Sequence, residues 1–244
     1  MGTTPVIEVR QLSKNFGAFA AVRDLSLDIP RGQVFCFLGP NGAGKTTTIK
    51  LLCGLLKPSG GTIRIGGFDL HAESARIKQI TGYIPDQPYL YERLTAEEYC
   101  EFSADLYQTP RPLARERLEH YFTLFGLNEY RAVLVKDLSH GLRQRLVYAS
   151  TFIHEPQVLF VDEPFIGLDP YSIRSIRTLL REKAAAGMTI FLTTHILALA
   201  EDLADRAGII HHGQLIACGT PADLAQLHTD QGNLEDAFMK LTSL

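Results

Sequence analysis

Two kinds of apolar pattern occur along this chain. In the N-terminal third, short segments alternate apolar and polar residues, as in Val6–Arg10 and Leu25–Ile29, and Gly60–Gly67 resembles a hairpin. Strict alternation places apolar side chains on one face of a strand and polar side chains on the other. The N-terminal third is therefore predicted to form an antiparallel sheet with one solvated face.

Three other segments are apolar almost throughout. They are Val34–Leu38, Val158–Val161 and Thr189–Thr193, and each leads into a helical pattern. Continuous apolar runs are typical of parallel strands that helices cover on both faces. Strands that alternate with helices in this way predict a doubly wound α/β sheet.

Residues 90–155 are predicted to be helical. The first helix begins with the capping-box pattern Thr95-Ala96-Glu97-Glu98. Its apolar residues Tyr99, Phe102 and Leu106 share one face. A second helix ends near Gly126, and a third begins near Ser139. We expect one domain over residues 1–244: a core at about 1–88, a helical insertion at about 89–155, and the rest of the core at about 156–244.

Composition narrows the classes of protein. Hydrophobic residues make up 45% and charged residues 21% of the 244 residues, which is typical of a folded globular chain. The net charge of -3 disfavours a nucleic-acid partner. The four cysteines are far apart and form no C-x-x-C pair, so we expect free thiols. No apolar stretch is long enough to span a membrane, which predicts a cytoplasmic chain.

The strongest chemical signal follows the first apolar run. It fits the phosphate-loop pattern G-x-x-x-x-G-K-[ST] with Gly39, Pro40, Asn41, Gly42, Ala43, Gly44, Lys45, Thr46 and Thr47. Backbone N–H groups of such a loop surround phosphate oxygens, and the following helix N-terminus adds positive partial charge. Lys45 is expected to neutralise the phosphates of ATP, and the Thr46 hydroxyl to ligate Mg²⁺.

Two carboxylates end the second apolar run. Asp162 is placed to hold Mg²⁺, and Glu163 to act on an attacking water. An acidic turn after a strand is an equally good explanation when this pair is considered alone.

Three further motifs make the chain resemble the ATPases of ABC transporters. Leu138–Arg145 is similar to the signature segment of that family, Gly167–Asp169 to its D-loop, and Thr193–His195 to its H-loop, all in the family's order. The resemblance implies an α/β P-loop NTPase (RecA-like) core with an N-terminal antiparallel β subdomain and an inserted helical subdomain.

The resemblance also implies roles for single residues. Two copies would face each other head to tail around two ATP molecules, with Ser139 and Gly141 of one copy approaching the nucleotide of the other. Lys45, Glu163 and His195 would be catalytic. Phe16 would stack on adenine, although a turn residue of the core is the alternative. Asp169 would join the two sites, and with Pro170 it also fits the start of a helix.

Two segments depart from the family pattern. The loop after Gly82–Pro85 usually carries a glutamine that senses Mg²⁺, but here Asp86 comes first and Gln87 follows. Either residue could serve the metal. In the signature, His140 and Leu142 replace the commoner Gly and Gln, while Ser139 and Gly141 remain.

The implied function is ATP hydrolysis that drives a separate membrane permease, with the chain held on the inner face of the membrane by that partner. The second ATPase subunit could be another copy or a paralogue. The ending Asn233–Phe238 resembles exporter subunits, which favours export. The alternatives are a soluble ABC ATPase that acts on nucleic acid or ribosomes, and a nucleotide sensor without transport.

Overall fold

The computed structural model describes residues 5–165, 168–227 and 233–242, and their strands form two sheets. The strands are β1 (Pro5–Phe16), β2 (Phe19–Pro30), β3 (Val34–Leu38), β4 (Gly60–Ile65), β5 (Phe68–Asp69), β6 (Thr81–Ile84), β7 (Val158–Asp162), β8 (Thr189–Thr194), β9 (Arg206–His211) and β10 (Gln214–Gly219). The helices are α1 (Lys45–Leu52), α2 (Ser74–Ile80), α3 (Ala96–Leu106), α4 (Arg111–Leu124), α5 (His140–Phe152), α6 (Pro170–Ala185), α7 (Leu197–Leu203), α8 (Pro221–Gln226) and α9 (Leu234–Thr242).

The first sheet confirms the predicted antiparallel region. Its order is β2-β1-β4-β5, and Val9 of β1 lies between Leu27 of β2 and Ile63 of β4. These three side chains are buried together. The predicted hairpin is formed by β4 and β5, with Gly66 and Gly67 in the turn. Apolar residues of this sheet face the rest of the core, as the alternating pattern predicts.

The second sheet contains the three apolar runs as adjacent parallel strands. Its order is β10-β9-β3-β8-β7-β6, with β10 antiparallel to β9. Strand β3 pairs in parallel with β8 and β9, and β7 pairs in parallel with β6 and β8. Because parallel strands end at the same edge, the residues that follow β3, β7 and β8 come together there.

Strand β3 is buried on both faces. Val34, Cys36 and Leu38 belong to a core shared with α3–α7, whereas Phe35 and Phe37 belong to a core shared with the first sheet and α1. Burial on both faces explains why β3 is continuously apolar. The loop that follows β3 is thereby fixed against both halves of the molecule.

Helices α3, α4 and α5 lie between β6 and β7 in the chain. Thr95 caps α3 and forms the predicted capping box with Glu98. The expected apolar face is not the buried one, because α3 buries Ala96, Cys100 and Ala104, while Phe102 and Leu106 are exposed. Small buried residues let α3 approach α5 closely, and the larger side chains remain at the surface. The domain boundaries near 88 and 155 stay a prediction.

Candidate nucleotide site

The phosphate loop lies between β3 and α1 and is shaped by its glycines. Gly42 and Gly44 have φ of 80° and 109°, a region that residues with side chains rarely adopt. A Cβ on Gly39 would lie 2.5 Å from the carbonyl oxygen of Ile210, so only glycine permits this approach to β9. The loop therefore leads directly into α1, which begins at Lys45.

The Lys45 side chain is buried beneath this loop. Its Nζ donates to the carbonyl oxygens of Gly39 at 2.7 Å and Pro40 at 3.2 Å, and lies 3.8 Å from Oε1 of Glu163. Burial lowers the pKa of Lys45, and the charges of Glu163 and Asp162 oppose that shift. Among the described residues Glu163 is the carboxylate within 4 Å of Nζ, and a buried cation of this kind can also bind an anion such as a phosphate.

Asp162 is completely buried at the end of β7. Its Oδ1 accepts hydrogen bonds from Thr46 Oγ1 at 3.4 Å and from Thr193 Oγ1, and its Oδ2 has no partner among the described residues. Burial raises the pKa of Asp162, and the hydrogen bond from Thr193 partly offsets this. A buried bare carboxylate oxygen beside a threonine hydroxyl fits the oxygen ligands that Mg²⁺ requires.

Glu163 and His195 come together because each directly follows one of the neighbouring strands β7 and β8. Nδ1 of His195 lies 2.9 Å from Oε1 of Glu163. The backbone of Glu163 has φ of 49°, a left-handed conformation that is uncommon for a residue with a side chain. Its N–H donates to the carbonyl oxygen of Thr193 at 3.1 Å, which fixes the turn to β8. A carboxylate held in this way can accept a proton from a bound water.

Lys45, Glu163 and His195 lie at an open cleft of about 480 Å³. It is lined by Phe19, Ala21, Asn41, Gly42, Gly44, Lys45, Thr46, Thr47, Asp86, Glu163 and His195. Phe19 was missed by the sequence analysis. It pairs with Phe16 across the β1–β2 hairpin, and both rings are at least half exposed, but Phe16 does not line the cleft. The signal for Phe19 was its place directly after the two-residue turn Gly17-Ala18, opposite Phe16.

The structure separates the two candidate metal residues of the loop after β6. Asp86 lines the cleft and its charge raises the pKa of Asp162, so its carboxyl is close to the candidate metal site. Gln87 is exposed and its backbone N–H donates to Oδ1 of Asp86 at 2.8 Å. Of the two, Asp86 therefore has the position that a metal ligand or a ligand of metal-bound water needs.

Ser139, Gly141 and Asp169 do not line this cleft. Ser139 is exposed and caps α5, accepting a hydrogen bond from Leu142 N at 3.3 Å. Asp169 caps α6 and accepts hydrogen bonds from Ser172 Oγ and, at 3.0 Å, from Ser172 N; these two bonds lower the pKa of Asp169. The predicted D-loop residue Gly167 lies outside the described residues. Within one chain the signature is thus separate from the phosphate loop.

A family model described as ABC transporter matches residues 22–166, which include the phosphate loop, the signature, Asp162 and Glu163. The chain belongs to the ABC transporter family, as one of its ATP-binding domains. Membership of this family implies that the chain binds nucleotide.

Relatives in this family are similar over most of the chain. It is 38% identical over 240 residues to "Probable multidrug ABC transporter ATP-binding protein YbhF" of Escherichia coli, covering 97% of this chain and 41% of that protein. It is 37% identical over 224 residues to "Nod factor export ATP-binding protein I" of Ralstonia nicotianae, covering 92% of this chain and 70% of that protein. The chain thus spans less than half the length of YbhF.

A solved ABC protein has the same fold. The structure described as "Structure of ATP binding subunit of ABC transporter" superposes with a TM-score of 0.92 at 34% identity, covering 97% of this chain and 99% of the other. In the described part of this chain, no helix is both long enough and apolar enough to cross a membrane.

Proposed function

We propose that this chain is the ATP-hydrolysing subunit of an ABC exporter and that it works as a head-to-tail pair on a separate membrane permease. The observation that carries the proposal is that Lys45 and the Glu163–His195 pair line one cleft, and that Thr46 of the same lining is hydrogen-bonded to the buried Asp162. A cation for phosphate, a ligand for Mg²⁺ and a base for water are what phosphoryl transfer to water requires.

The phosphate groups would lie along the loop that ends at Gly44. Backbone N–H groups and Lys45 would bind the β- and γ-phosphates. Thr46 and Asp162 would hold Mg²⁺, with Asp86 binding the metal directly or through water. Bound Mg²⁺ would neutralise charge on these phosphates during the transfer. The unpartnered Asp162 oxygen supports this assignment, because a buried carboxylate is costly until a cation pairs with it.

Glu163 would take a proton from the attacking water. His195, as the donor to Oε1, would hold the carboxylate in the direction of the phosphate. The strained backbone of Glu163 places its side chain at the rim of the cleft and beside Lys45. Lys45, Glu163 and His195 would therefore all act on the nucleotide that is bound by their own chain.

A second copy would supply the other half. Ser139 and Gly141 are at the N-terminal end of the 13-residue helix α5, where backbone N–H groups favour an anion. They are away from their own cleft, which supports contact with the γ-phosphate bound by a partner. Asp169 would lie between the two sites. The partner is a second copy in this proposal, and a paralogue is the alternative outcome of the test below.

The first test is ATP-dependent pairing of the Glu163→Gln variant. Slow hydrolysis should trap the pair, so light scattering with Mg-ATP should give twice the mass found without nucleotide. Glu163→Gln with Ser139→Arg is the matched control, and it should bind ATP as a monomer. If the variant with Glu163→Gln alone binds ATP but stays monomeric, pairing of identical copies would be contradicted.

Mixing two inactive variants tests the head-to-tail arrangement. Lys45→Ala and Ser139→Arg should each abolish hydrolysis alone. A mixed pair has one intact site, formed by Lys45 of the Ser139→Arg chain and Ser139 of the Lys45→Ala chain, whereas a pair of identical variants has none, so hydrolysis should return when the two variants are mixed. No recovery, with pairing intact, would show that Ser139 does not act in the partner's site.

The membrane partner would dock on a groove between the sheet and α3. This groove has a volume of about 650 Å³, and its exposed aromatic and aliphatic residues are Leu55, Tyr89, Tyr91, Phe102 and Leu106. Tyr89, Leu90 and Tyr91, which follow the Asp86–Gln87 loop in the chain, line this groove. Exposed aromatic residues are typical of protein interfaces. A partner helix with an apolar face would cover them and keep the chain on the inner face of the membrane.

The names of two relatives support export: one is a probable multidrug ABC transporter protein, and the other is a Nod factor export protein. Phe102→Glu should reduce the fraction of the chain that sediments with membranes of its own cells, without reducing ATP binding. Ile216→Glu, at an exposed position of β10, is the matched control and should sediment normally. Equal loss in both variants would contradict docking at the groove, and ATP-driven uptake would contradict export.

A further inference from the structure

Tyr148 joins helix α5 to the segment that carries Glu163. Tyr148 is completely buried, and its hydroxyl donates to the carbonyl oxygen of Pro164 at 3.0 Å. Pro164 directly follows Glu163, whereas α5 is the helix that Ser139 caps. One hydroxyl therefore connects the helix of the signature segment with the backbone beside the candidate base.

The backbone of Glu163 has an unfavourable conformation that its neighbours must stabilise. Glu163 has φ of 49°, and both a side chain and a following proline make that conformation unfavourable. On one side, the Glu163 N–H donates to the carbonyl oxygen of Thr193 at 3.1 Å. On the other side, the Pro164 carbonyl accepts from Tyr148. Strained conformations persist only where the surroundings hold them, and these two hydrogen bonds bracket the strained residue.

The Tyr148 ring has little freedom to move. It packs against Phe125 and Phe152, with ring centroids 6.1 Å and 6.4 Å away. These rings belong to the core that α3, α4 and α5 share with the sheet. Because the ring is fixed, the position of the hydroxyl, and with it that of the Pro164 carbonyl, follows α5.

We propose that Tyr148 is a positioning residue for Glu163. Its hydrogen bond holds the Glu163–Pro164 turn so that the carboxylate faces Lys45 and His195, and it passes displacements of α5 to that carboxylate. The inference rests on the proposed function, in which Ser139 contacts the nucleotide of the partner copy and Glu163 acts on its own nucleotide. Tyr148 then connects the two sites of a pair, because α5 belongs to one and Glu163 to the other.

Tyr148→Phe is the direct test, because it removes one oxygen and keeps the ring. Loss of one hydrogen bond should lower kcat about fivefold. The Kd for ATP, measured in the Glu163→Gln background, should not change. In the hydrolysing enzyme, the Hill coefficient for the dependence of hydrolysis on ATP concentration should fall toward one. Tyr121→Phe removes a hydroxyl from the same aromatic cluster and is the matched control, with wild-type kcat and Hill coefficient expected.

Hydrogen exchange tests the same contact without requiring hydrolysis. The amides of Glu163 and Phe165 should exchange faster in Tyr148→Phe than in wild type or Tyr121→Phe. Unchanged exchange, or a wild-type kcat and Hill coefficient in an active enzyme, would overturn the inference. Equal losses in both variants would overturn it too, because they would report general weakening of the cluster. A wild-type chain that pairs but does not hydrolyse ATP contradicts the proposed function, and the exchange result then decides the inference by itself.

Discussion

His195 Nδ1 lies 2.9 Å from Glu163 Oε1, although 32 positions separate the two residues in the chain. Each residue follows a strand, and β7 and β8 are neighbours in the sheet. A carboxylate can only accept a hydrogen bond, so Nδ1 carries the hydrogen and Nε2 is directed elsewhere. The imidazole therefore fixes the direction of the carboxylate and leaves one nitrogen for another partner at the cleft.

Replacing His195 should separate binding from hydrolysis. His195→Ala removes the donor to Glu163, so the carboxylate loses its orientation and kcat should fall about 100-fold. The Kd for ATP should change little, because the phosphate loop and Lys45 remain. Steady-state hydrolysis and equilibrium binding measure the two effects. His71→Ala, an exposed histidine before α2, is the control, and a His195→Ala enzyme with normal kcat would exclude this role.

The aromatic hairpin should contribute to binding of the base and not of the phosphates. Phe19 lines the cleft and Phe16 pairs with it, so we expect either alanine variant to weaken ATP binding by about 1–3 kcal/mol. Inorganic tripolyphosphate has no base, and its affinity should not change. Competition binding with both ligands makes the comparison. If Phe16→Ala alone has an effect, the aromatic contact belongs to Phe16; equal losses for both ligands would indicate a displaced phosphate loop.

Asp162 should destabilise the nucleotide-free chain. Its pKa is raised by burial, so the folded state binds the proton more tightly than the unfolded state. The stabilisation by that proton is present at low pH and is lost as pH rises through the folded pKa. At neutral pH, Asp162→Asn should therefore raise the free energy of unfolding by about 1–2 kcal/mol, while Mg²⁺-dependent ATP binding is lost. Urea unfolding measures the first effect, and a less stable variant would contradict it.

His154 should make stability depend on pH. It stacks on Tyr107 with ring centroids 3.6 Å apart, and its Nε2 donates to the carbonyl oxygen of Thr81 at 3.1 Å. Burial lowers the pKa of His154 from 6.5 to about 4. Between these values the unfolded chain binds a proton and the folded chain does not, so stability falls as pH decreases through this range.

His154→Phe retains a ring for stacking but cannot titrate. The wild-type chain should lose more stability than this variant between about pH 7.5 and about pH 5, as measured by urea unfolding. The comparison uses the change in the free energy of unfolding between the two pH values within each protein. A loss of stability from the substitution that is the same at both pH values therefore cancels. The same pH dependence in both proteins would show that His154 is not the responsible group.

The sequence predicted most elements that are defined locally. The apolar run Val34–Leu38 has the same bounds as β3, and the capping box at Thr95 marks the start of α3. Both signals depend on residues that are adjacent or within one helical turn. The order of the motifs indicated the family, and the family implies the fold.

Other features depend on long-range packing and were not predictable from local pattern. Periodicity placed Phe102 and Leu106 on one face of α3, but it does not determine which face is buried. In the structure the buried face carries the small residues of the helix. Phe19 enters the cleft only because the hairpin folds over the phosphate loop. The Tyr148–Pro164 hydrogen bond joins a helix to a distant turn, and nothing in either segment alone indicates it.

The two-sided burial of β3 has a consequence for how the molecule melts. Val34 and Phe35 are adjacent, yet they belong to different cores, one shared with α3–α5 and one with the antiparallel sheet. Neither core can come apart without exposing a face of the same strand, so the described segments should behave as one cooperative unit in calorimetry. A ligand bound at the loop after β3 is then linked to both cores at once. Nucleotide should raise the temperature of one shared transition, and a fragment of residues 89–155 should have no transition of its own.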